Sequence, residues 1–132
     1  MIAIDTSAIV AIAKEEEDEQ PLRDAIAGSR CVIGAPSLLE VKMVLTSVAD
    51  EDSVERLLQR IGVGRHIEPV DFTPAMTDAA ARAFRAFGKG QGHPAQLNFG
   101  DCMSYAVAKV RGVPLLYKGS DFAQTDIVSA LS

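Results

Sequence analysis

The sequence predicts one α/β domain in which helices cover both faces of a mainly parallel sheet. Short, continuous apolar runs alternate along the chain with segments whose apolar residues recur at helical spacing, and this alternation is typical of parallel strands joined by helices. The 132 residues suit one compact domain, and no linker, repeat or low-complexity tract divides them. We therefore expect residues 1–132 to form a single domain with three α/β/α layers.

The first half of the chain contains two apolar runs, each followed by helical segments. The run that begins at Met1 stops at Asp5, which predicts a strand and then a helix from Thr6 to Lys14. Turn and cap signals place the next elements. They are a helix with Pro21 in its first turn and Gly28 at its end, a strand at Cys31–Ile33, a helix that starts near Ala35–Ser37 with Glu40 in its first turn, and a helix from Asp50 to Gly62.

The second half repeats this alternation around one glycine-rich loop, Gly88–Pro94. The loop resembles a phosphate-binding loop only superficially, because it lacks the Gly-Lys-Ser/Thr ending. The expected elements are a strand at His66–Val70 that Pro69 weakens, a helix from Thr73 and Pro74 to Phe87, a helix from Asn98 to Arg111 that Gly112 ends, a strand at Val113–Tyr117, and a last edge strand at Asp126–Val128.

Composition argues against several functional classes. A net charge of -5 is unlike that of a protein that coats nucleic acid by bulk positive charge. Cys31 and Cys102 lie far apart without metal-ligand spacing, so we expect buried, reduced thiols. The N-terminus lacks the pattern of a secretory signal, and no apolar run approaches the roughly 18 residues of a membrane helix. We expect a cytoplasmic protein without a membrane segment.

Four acids occur where expected elements start or end: Asp5, Glu40, Asp101 and Asp121. The carboxyl ends of parallel strands share one edge of the sheet with the helix starts, so acids that are distant in sequence can meet there. Each acid also has a purely local explanation. Asp5 or Thr6 could cap a helix, Ser37 with Glu40 and Asn98 with Asp101 could form capping interactions, and Asp121 could close an Asx turn.

The coincidence of four acids at one predicted edge favours a metal site. Clustered carboxylates repel one another and normally need a cation to stay ionised together. Carboxylate oxygens are hard ligands that suit Mg²⁺ or Mn²⁺. The sequence therefore predicts a Mg²⁺ or Mn²⁺ site at this edge of the sheet.

Four segments occur in an order that resembles the PIN-domain ribonucleases, and more narrowly the VapC toxins of type II toxin-antitoxin pairs. The segments are Ile4–Ala8, Ser37–Val41, Leu97–Cys102 and Leu116–Phe122. The resemblance extends over nearly the whole chain and implies a PIN-like α/β/α fold. It departs from the family at Ser120, where these toxins commonly have Asn, although Ser keeps a hydrogen-bonding side chain.

The resemblance implies an endoribonuclease that hydrolyses RNA phosphodiesters with water activated by Mg²⁺ or Mn²⁺. It assigns Asp5, Glu40 and Asp101 as the principal metal ligands. Asp121 is the fourth acid of the catalytic site, which either orients a metal-bound water or completes a second metal site. Supporting positions are Thr6 and Ser7, which we expect to cap the first helix, together with Ser120 and Asp126. An acidic site that cuts a polyanion also needs nearby cations, and the candidates for RNA contact are Lys89, Lys109 and Lys118.

The resemblance further implies two protein partners, a second copy in a homodimer and a small VapB-like antitoxin that covers the acids. Apolar helix residues could serve either contact or the core, and their spacing does not distinguish the two uses. They are Leu38, Val41, Val44, Leu57 and Leu58.

Two other functions compete with the nuclease. A phosphoryl-accepting receiver domain also has acids at strand ends and a late lysine such as Lys118, but it would have an adjacent acidic pair near Asp5. A catalytically silent PIN-like module would bind RNA or protein without cutting. The presence of all four acids argues against a degenerate site of that kind.

Overall fold

The structure is a computed structural model that describes residues 1–131. Its centre is a sheet of four parallel strands, β1 (Ile2–Ile4), β2 (Cys31–Gly34), β3 (Ile67–Val70) and β4 (Leu115–Leu116). The strands lie in the order β3-β2-β1-β4, with Ile2 opposite Cys31 and Ile4 opposite Leu116. The short apolar runs of the sequence are therefore buried parallel strands, as predicted.

Helices connect the strands and cover both faces of the sheet. They are α1 (Thr6–Ala13), α2 (Glu19–Ala27), α3 (Ala35–Leu45), α4 (Glu51–Ile61), α5 (Pro74–Phe87) and α6 (Phe99–Arg111), followed by one turn of 3-10 helix at Phe122–Gln124. Each crossover between successive strands contains two of these helices. The helix ends follow the sequence signals, since Thr73 caps α5 just before Pro74, and Gly62 (φ 118°) and Gly112 (φ 67°) end α4 and α6 in the left-handed region.

Alternate strand residues contribute to two apolar cores, one on each face of the sheet. Ile4 and Ile33 pack with α1 to α4, whereas Ala3, Val32 and Leu115 pack with α5 and α6. This arrangement follows from the two-residue side-chain period of a strand. It confirms the expected three-layer α/β/α architecture with a parallel sheet.

The strand order places a topological switch point between β1 and β4. The chain builds outward from β1 through β2 to β3 and then returns to add β4 on the other side of β1. Ligand sites of open parallel sheets form beyond the carboxyl ends of the strands at such a point. Asp5 follows β1 and Asp121 lies in the loop after β4, so the fold puts both acids at this position.

Two sequence predictions about element positions are wrong. Helix α3 begins at Ala35, directly after β2, so Glu40 lies in its second turn rather than its first. Residues Asp126–Val128 do not form a strand; instead, Ser129 makes a single parallel bridge with Leu115. The bridge uses the Leu115 amide, which donates to the Val128 carbonyl oxygen at 2.9 Å. The tail thus pairs at one residue only.

Candidate active site

Asp5 is a buried acid at the end of β1, with only 4% of its surface exposed. It caps helix α1, because its Oδ2 accepts hydrogen bonds from the Ser7 amide (3.0 Å) and from Ser7 Oγ (2.5 Å). The prediction that Thr6 and Ser7 cap this helix is wrong. Ser7 instead donates to Asp5, and its own hydroxyl accepts from the backbone amide of Lys118 at 3.0 Å. Capping and a place in the candidate site are therefore compatible at Asp5.

Burial raises the pKa of Asp5 above its ordinary value. Hydrogen bonds from Ser104 and Ser7 act in the opposite direction, and the negative charge of Glu40 adds to the increase. The hydroxyl of Ser104 also lies 2.9 Å from that of Ser37, and both serines are buried. Sequence reasoning missed Ser104, whose only signal was a small polar residue on the buried side of α6.

Glu40 is fixed by Thr6 rather than by the start of its own helix. Thr6 Oγ1 donates to Glu40 Oε1 at 2.7 Å and also lies 3.2 Å from the Ser37 carbonyl oxygen. The expected capping box of Ser37 and Glu40 is absent from α3, because Gly34 occupies the N-cap position and Ser37 lies inside the helix. The side chain of Glu40 is thus held in the candidate site by a residue that directly follows Asp5 in sequence.

Asp101 completes the capping box that the sequence predicted at the start of α6. The Asp101 amide donates to Asn98 Oδ1 at 2.9 Å, and Asp101 Oδ2 accepts from the Asn98 amide at 3.0 Å. The pKa of Asp101 is raised to about 6, mainly by burial and also by the charges of Asp5, Asp121 and Glu40, while the Asn98 hydrogen bond opposes the increase. Asp101 therefore lies in the electrostatic field of the other three predicted acids.

Asp121 is the exposed member of this group. It precedes the 3-10 turn at Phe122–Gln124, and its side chain makes no capping hydrogen bond to that turn in the described structure. Ser120 beside it is also exposed. The loop is connected to Asp5 through the hydrogen bond between the Lys118 amide and Ser7. The cluster is consequently open to solvent on the Asp121 side and closed on the Asp5 side.

The donor chemistry of the four acids fits a hard divalent cation. Within residues 1–131, no three Asp, Glu, His or Cys side chains are gathered closely enough to ligate one ion together. Mg²⁺ usually takes one or two carboxylates and keeps several waters, so an open acidic cluster suits it. The mutual repulsion that contributes to the raised pKa of Asp101 is the kind of strain that a bound cation relieves.

The structure separates the remaining predicted positions from the four acids. Asp126 accepts hydrogen bonds from Tyr105 Oη (2.5 Å) and Lys109 Nζ (2.8 Å). Its charge is not among those that raise the pKa of Asp101. Lys118 forms ion pairs with Glu16 and Asp18, in the acidic run between α1 and α2. Lys109 and Lys118 are thus already paired, whereas Lys89 lies exposed in the loop after α5.

Apolar residues border the acids on the outer surface. The exposed fractions of Leu39, Met43 and Phe99 are 58%, 64% and 77%. Together with Met103 they line a groove of about 270 Å³ that includes Glu40. The apolar residues that the sequence suggested for partner contacts lie elsewhere: Val41 and Leu58 are in the core, and Leu38, Val44 and Leu57 are half-buried. No helix within residues 1–131 is long and apolar enough to cross a membrane.

Comparison with known proteins shows the family of this chain. The PIN domain model matches residues 2–128. Ribonuclease VapC42 of Mycobacterium tuberculosis is 42% identical to this chain, and the match covers 94% of this chain and 95% of VapC42. Ribonuclease VapC28 of the same organism is 43% identical, and the match covers 97% of this chain and 96% of VapC28. The crystal structure of M. tuberculosis VapC20 has a TM-score of 0.73 at 17% identity and covers 97% of both chains. The VapBC2 structure from Rickettsia felis has a TM-score of 0.76 at 14% identity, over 98% of this chain and 96% of that one. The chain therefore belongs to the PIN-domain family and, within it, to the VapC ribonucleases.

Proposed function

We propose that this protein is the toxin of a VapBC-type pair and cuts RNA internally with the help of Mg²⁺ or Mn²⁺. One observation carries the proposal: the negative charges of Asp5, Asp121 and Glu40 all raise the pKa of Asp101. A cluster of this kind is costly for a metal-free protein and useful for one that binds a cation beside a phosphate. The VapC relatives named above support the ribonuclease assignment.

The proposed site uses each acid in a distinct way. Asp5, Glu40 and Asp101 would hold the ion, directly or through water, and Asp121 would orient the attacking water from the exposed side. A bound Mg²⁺ or Mn²⁺ would supply a more acidic water and would stabilise charge on the phosphate. Ser7 and Ser104 keep the Asp5 carboxylate oriented, Thr6 does the same for Glu40, and Asn98 fixes Asp101. These contacts pre-organise the acids before RNA arrives.

Cleavage of RNA by the purified protein tests this function. We expect cleavage with Mg²⁺ or Mn²⁺, no cleavage after chelation, and products that carry a 5′-phosphate. Asp5→Asn should lower the rate by at least about a hundredfold, because a catalytic carboxylate is lost. Asp78→Asn, at an exposed position on α5, is the matched control. RNA binding without turnover in every metal would favour the silent module, and an active Asp5→Asn variant would overturn the site assignment.

The partners are proposed from the same relatives. The R. felis structure is of VapBC2 bound to a DNA fragment from its promoter, and a further match is a toxin-antitoxin complex from Klebsiella pneumoniae. We expect a VapB-like antitoxin that places a basic side chain near the acids. Its apolar side chains should pack on Leu39, Met43 and Phe99 of the toxin, which border the acids. Three further properties remain predictions: a homodimer, a single-domain organisation and a cytoplasmic location. The free thiols of Cys31 and Cys102 agree with a cytoplasmic location.

A further inference from the structure

Gly100 occupies a helical position where its lack of a side chain needs an explanation. It is the second residue of α6, between Phe99 and Asp101. Its φ is outside the left-handed region, so its backbone conformation does not require glycine. Glycine in a helix is less favourable than alanine, because it loses more conformational freedom on folding. A steric reason is therefore the natural one to look for.

The Glu40 carboxylate lies directly against Gly100. A Cβ atom at Gly100 would lie 2.6 Å from Glu40 Oε2, 2.8 Å from Oε1 and 2.9 Å from Cδ. Contacts this short are repulsive, so the carboxylate would have to move. It could do so only by giving up its present position, in which Oε1 accepts from Thr6 Oγ1 at 2.7 Å. The backbone of α6 at Gly100 thus forms one wall of the Glu40 position, and Thr6 forms another.

We propose that Gly100 is a positioning residue for the active site, because its missing side chain creates the recess that holds the Glu40 carboxylate next to Asp101. The recess connects α3, which carries Glu40, to the first turn of α6, which carries Asp101. The role rests on the metal-dependent nuclease proposed above, but the contact itself does not. Sequence reasoning gave Gly100 no role.

A double-mutant cycle in the metal-free protein tests the contact. The variants are Gly100→Ala, Glu40→Ala and their combination, each measured by thermal unfolding. Gly100→Ala should change the unfolding temperature less favourably when Glu40 is present than when it is absent, because the displaced carboxylate loses its hydrogen bond from Thr6. In the Glu40→Ala background the obstacle is gone, and the same change should raise the unfolding temperature by about 2 to 4 °C, as a glycine-to-alanine change in a helix does. A change of equal size and direction in both backgrounds would overturn the proposal.

Metal binding tests the positioning role separately from the fold. We expect Gly100→Ala to weaken Mn²⁺ binding in a calorimetric titration by about 10- to 100-fold, the usual effect of disturbing a group that orients a ligand. The same change should have no further effect in the Glu40→Ala background. The matched control is Gly28→Ala at the end of α2, where φ is -87° and a Cβ would meet only backbone oxygen atoms. Unchanged Mn²⁺ affinity in Gly100→Ala would refute the role.

RNA cleavage provides the third measurement. Misplacing Glu40 by about 1 Å should reduce kcat by about a hundredfold, with a smaller effect on KM, because the acids act at the reacting phosphate. If no variant and no wild-type sample cleaves RNA, the proposed function fails, yet the unfolding cycle still reports on the contact between Gly100 and Glu40. If wild type cleaves RNA and Gly100→Ala cleaves it equally well, the positioning role fails alone.

Discussion

Asp5 and Asp101 bear the highest cost of holding negative charge, and they do so in different ways. Asp5 is almost completely buried, and hydrogen bonds from Ser7 and Ser104 partly offset its desolvation. Asp101 is less buried, but it lies in the field of the other three acids. A charged group in either position destabilises the metal-free protein. Repulsion and burial thus destabilise the proposed active site, and a bound cation would relieve this cost.

The pKa of Asp101 leads to a stability prediction whose sign is fixed. Since folding raises this pKa from 3.8 to about 6, the folded protein binds the proton more tightly, and stability falls as pH rises through that interval. In chelator at pH 7, Asp101→Asn should therefore be more stable than wild type by about 1 to 2 kcal/mol, after allowance for solvent screening. The gain should shrink as pH falls through about 6 and vanish near pH 4.

Urea unfolding at several pH values measures this effect. Asp78→Asn serves as the control, since Asp78 is exposed on α5 and is not among the charges that raise the pKa of Asp101. The Asn side chain at position 101 can still accept the hydrogen bond from the Asn98 amide, so the helix cap is preserved. A variant that is less stable than wild type at pH 7 would contradict the repulsion described here.

Ser104→Ala should be destabilising although it removes a single oxygen atom. Its hydroxyl lies 2.9 Å from Ser37 Oγ and lowers the pKa of Asp5, so its loss removes the partner of the buried Ser37 hydroxyl and makes the Asp5 charge more costly. The expected cost is about 1 to 3 kcal/mol. Ser47→Ala is a control, because the Ser47 hydroxyl is exposed and bonds only to the Val44 carbonyl oxygen. Equal unfolding midpoints for the two variants would show that Ser104 has no such role.

At the level of elements, α6 contributes most to the site. Asn98 caps the helix, Gly100 faces Glu40, Asp101 belongs to the acid cluster and Ser104 supports Asp5. These residues lie within the first two turns, so a shift of this helix end moves several parts of the site together. The same two hydrogen bonds of the capping box therefore stabilise the helix start and hold Asp101 at its place in the proposed site.

Asn98→Ala separates these uses of the capping box. Loss of the side-chain bond to the Asp101 amide should cost about 1 kcal/mol of unfolding free energy, as at other helix N-caps. It should also reduce RNA cleavage, because Asp101 loses the fixed helix start that orients it. Asn98→Ser keeps an oxygen that can accept from the amide and should restore most of both properties. Cleavage that is normal in Asn98→Ala would show that the cap does not orient Asp101.

The elements are predictable from the sequence to the extent that their signals are local. Gly112, Pro74 and the alternation of apolar runs correctly indicate helix ends and strands. The start of α3 is not predictable in this way, because β2 passes directly into the helix at Ala35, and Ser37 offers a stronger but false cap signal. The bonds from Thr6 to Glu40 and from Ser104 to Asp5 have no local signal either. Each joins residues that are at least 34 positions apart in the sequence, and it forms only because the folded chain points the two side chains at each other.

For the molecule as a whole, the unusual feature is a negative net charge in a protein proposed to bind RNA. The protein is acidic, with a net charge of -5, yet its proposed substrate is a polyanion. Two of the three predicted RNA-contacting lysines are paired, Lys109 with Asp126 and Lys118 with Glu16 and Asp18. Among the described residues, Lys89 makes no ion pair, and it lies in an exposed loop. Of the three predicted lysines, Lys89 is accordingly the one most able to contact phosphate.

RNA binding should distinguish these lysines. Lys89→Ala should weaken RNA binding and reduce the slope of log Kd against log salt by about one, the signature of one lost phosphate contact. Lys109→Ala should have less effect, because Asp126 already neutralises that side chain at 2.8 Å. Both are measured with a catalytically inactive Asp5→Asn protein, so that the RNA stays intact during titration. An equal change of slope for both lysines would contradict the argument.

The strand order has a consequence for the biosynthesis of this protein. Strand β4 pairs with β1, and the loop that follows it carries Asp121. A ribosome-bound chain that ends before β4 leaves one side of β1 without its neighbour and lacks the fourth acid. The cluster is complete only after nearly all of the 132 residues have been made. On the proposed function, unfinished chains would therefore lack the complete acid cluster that cutting requires.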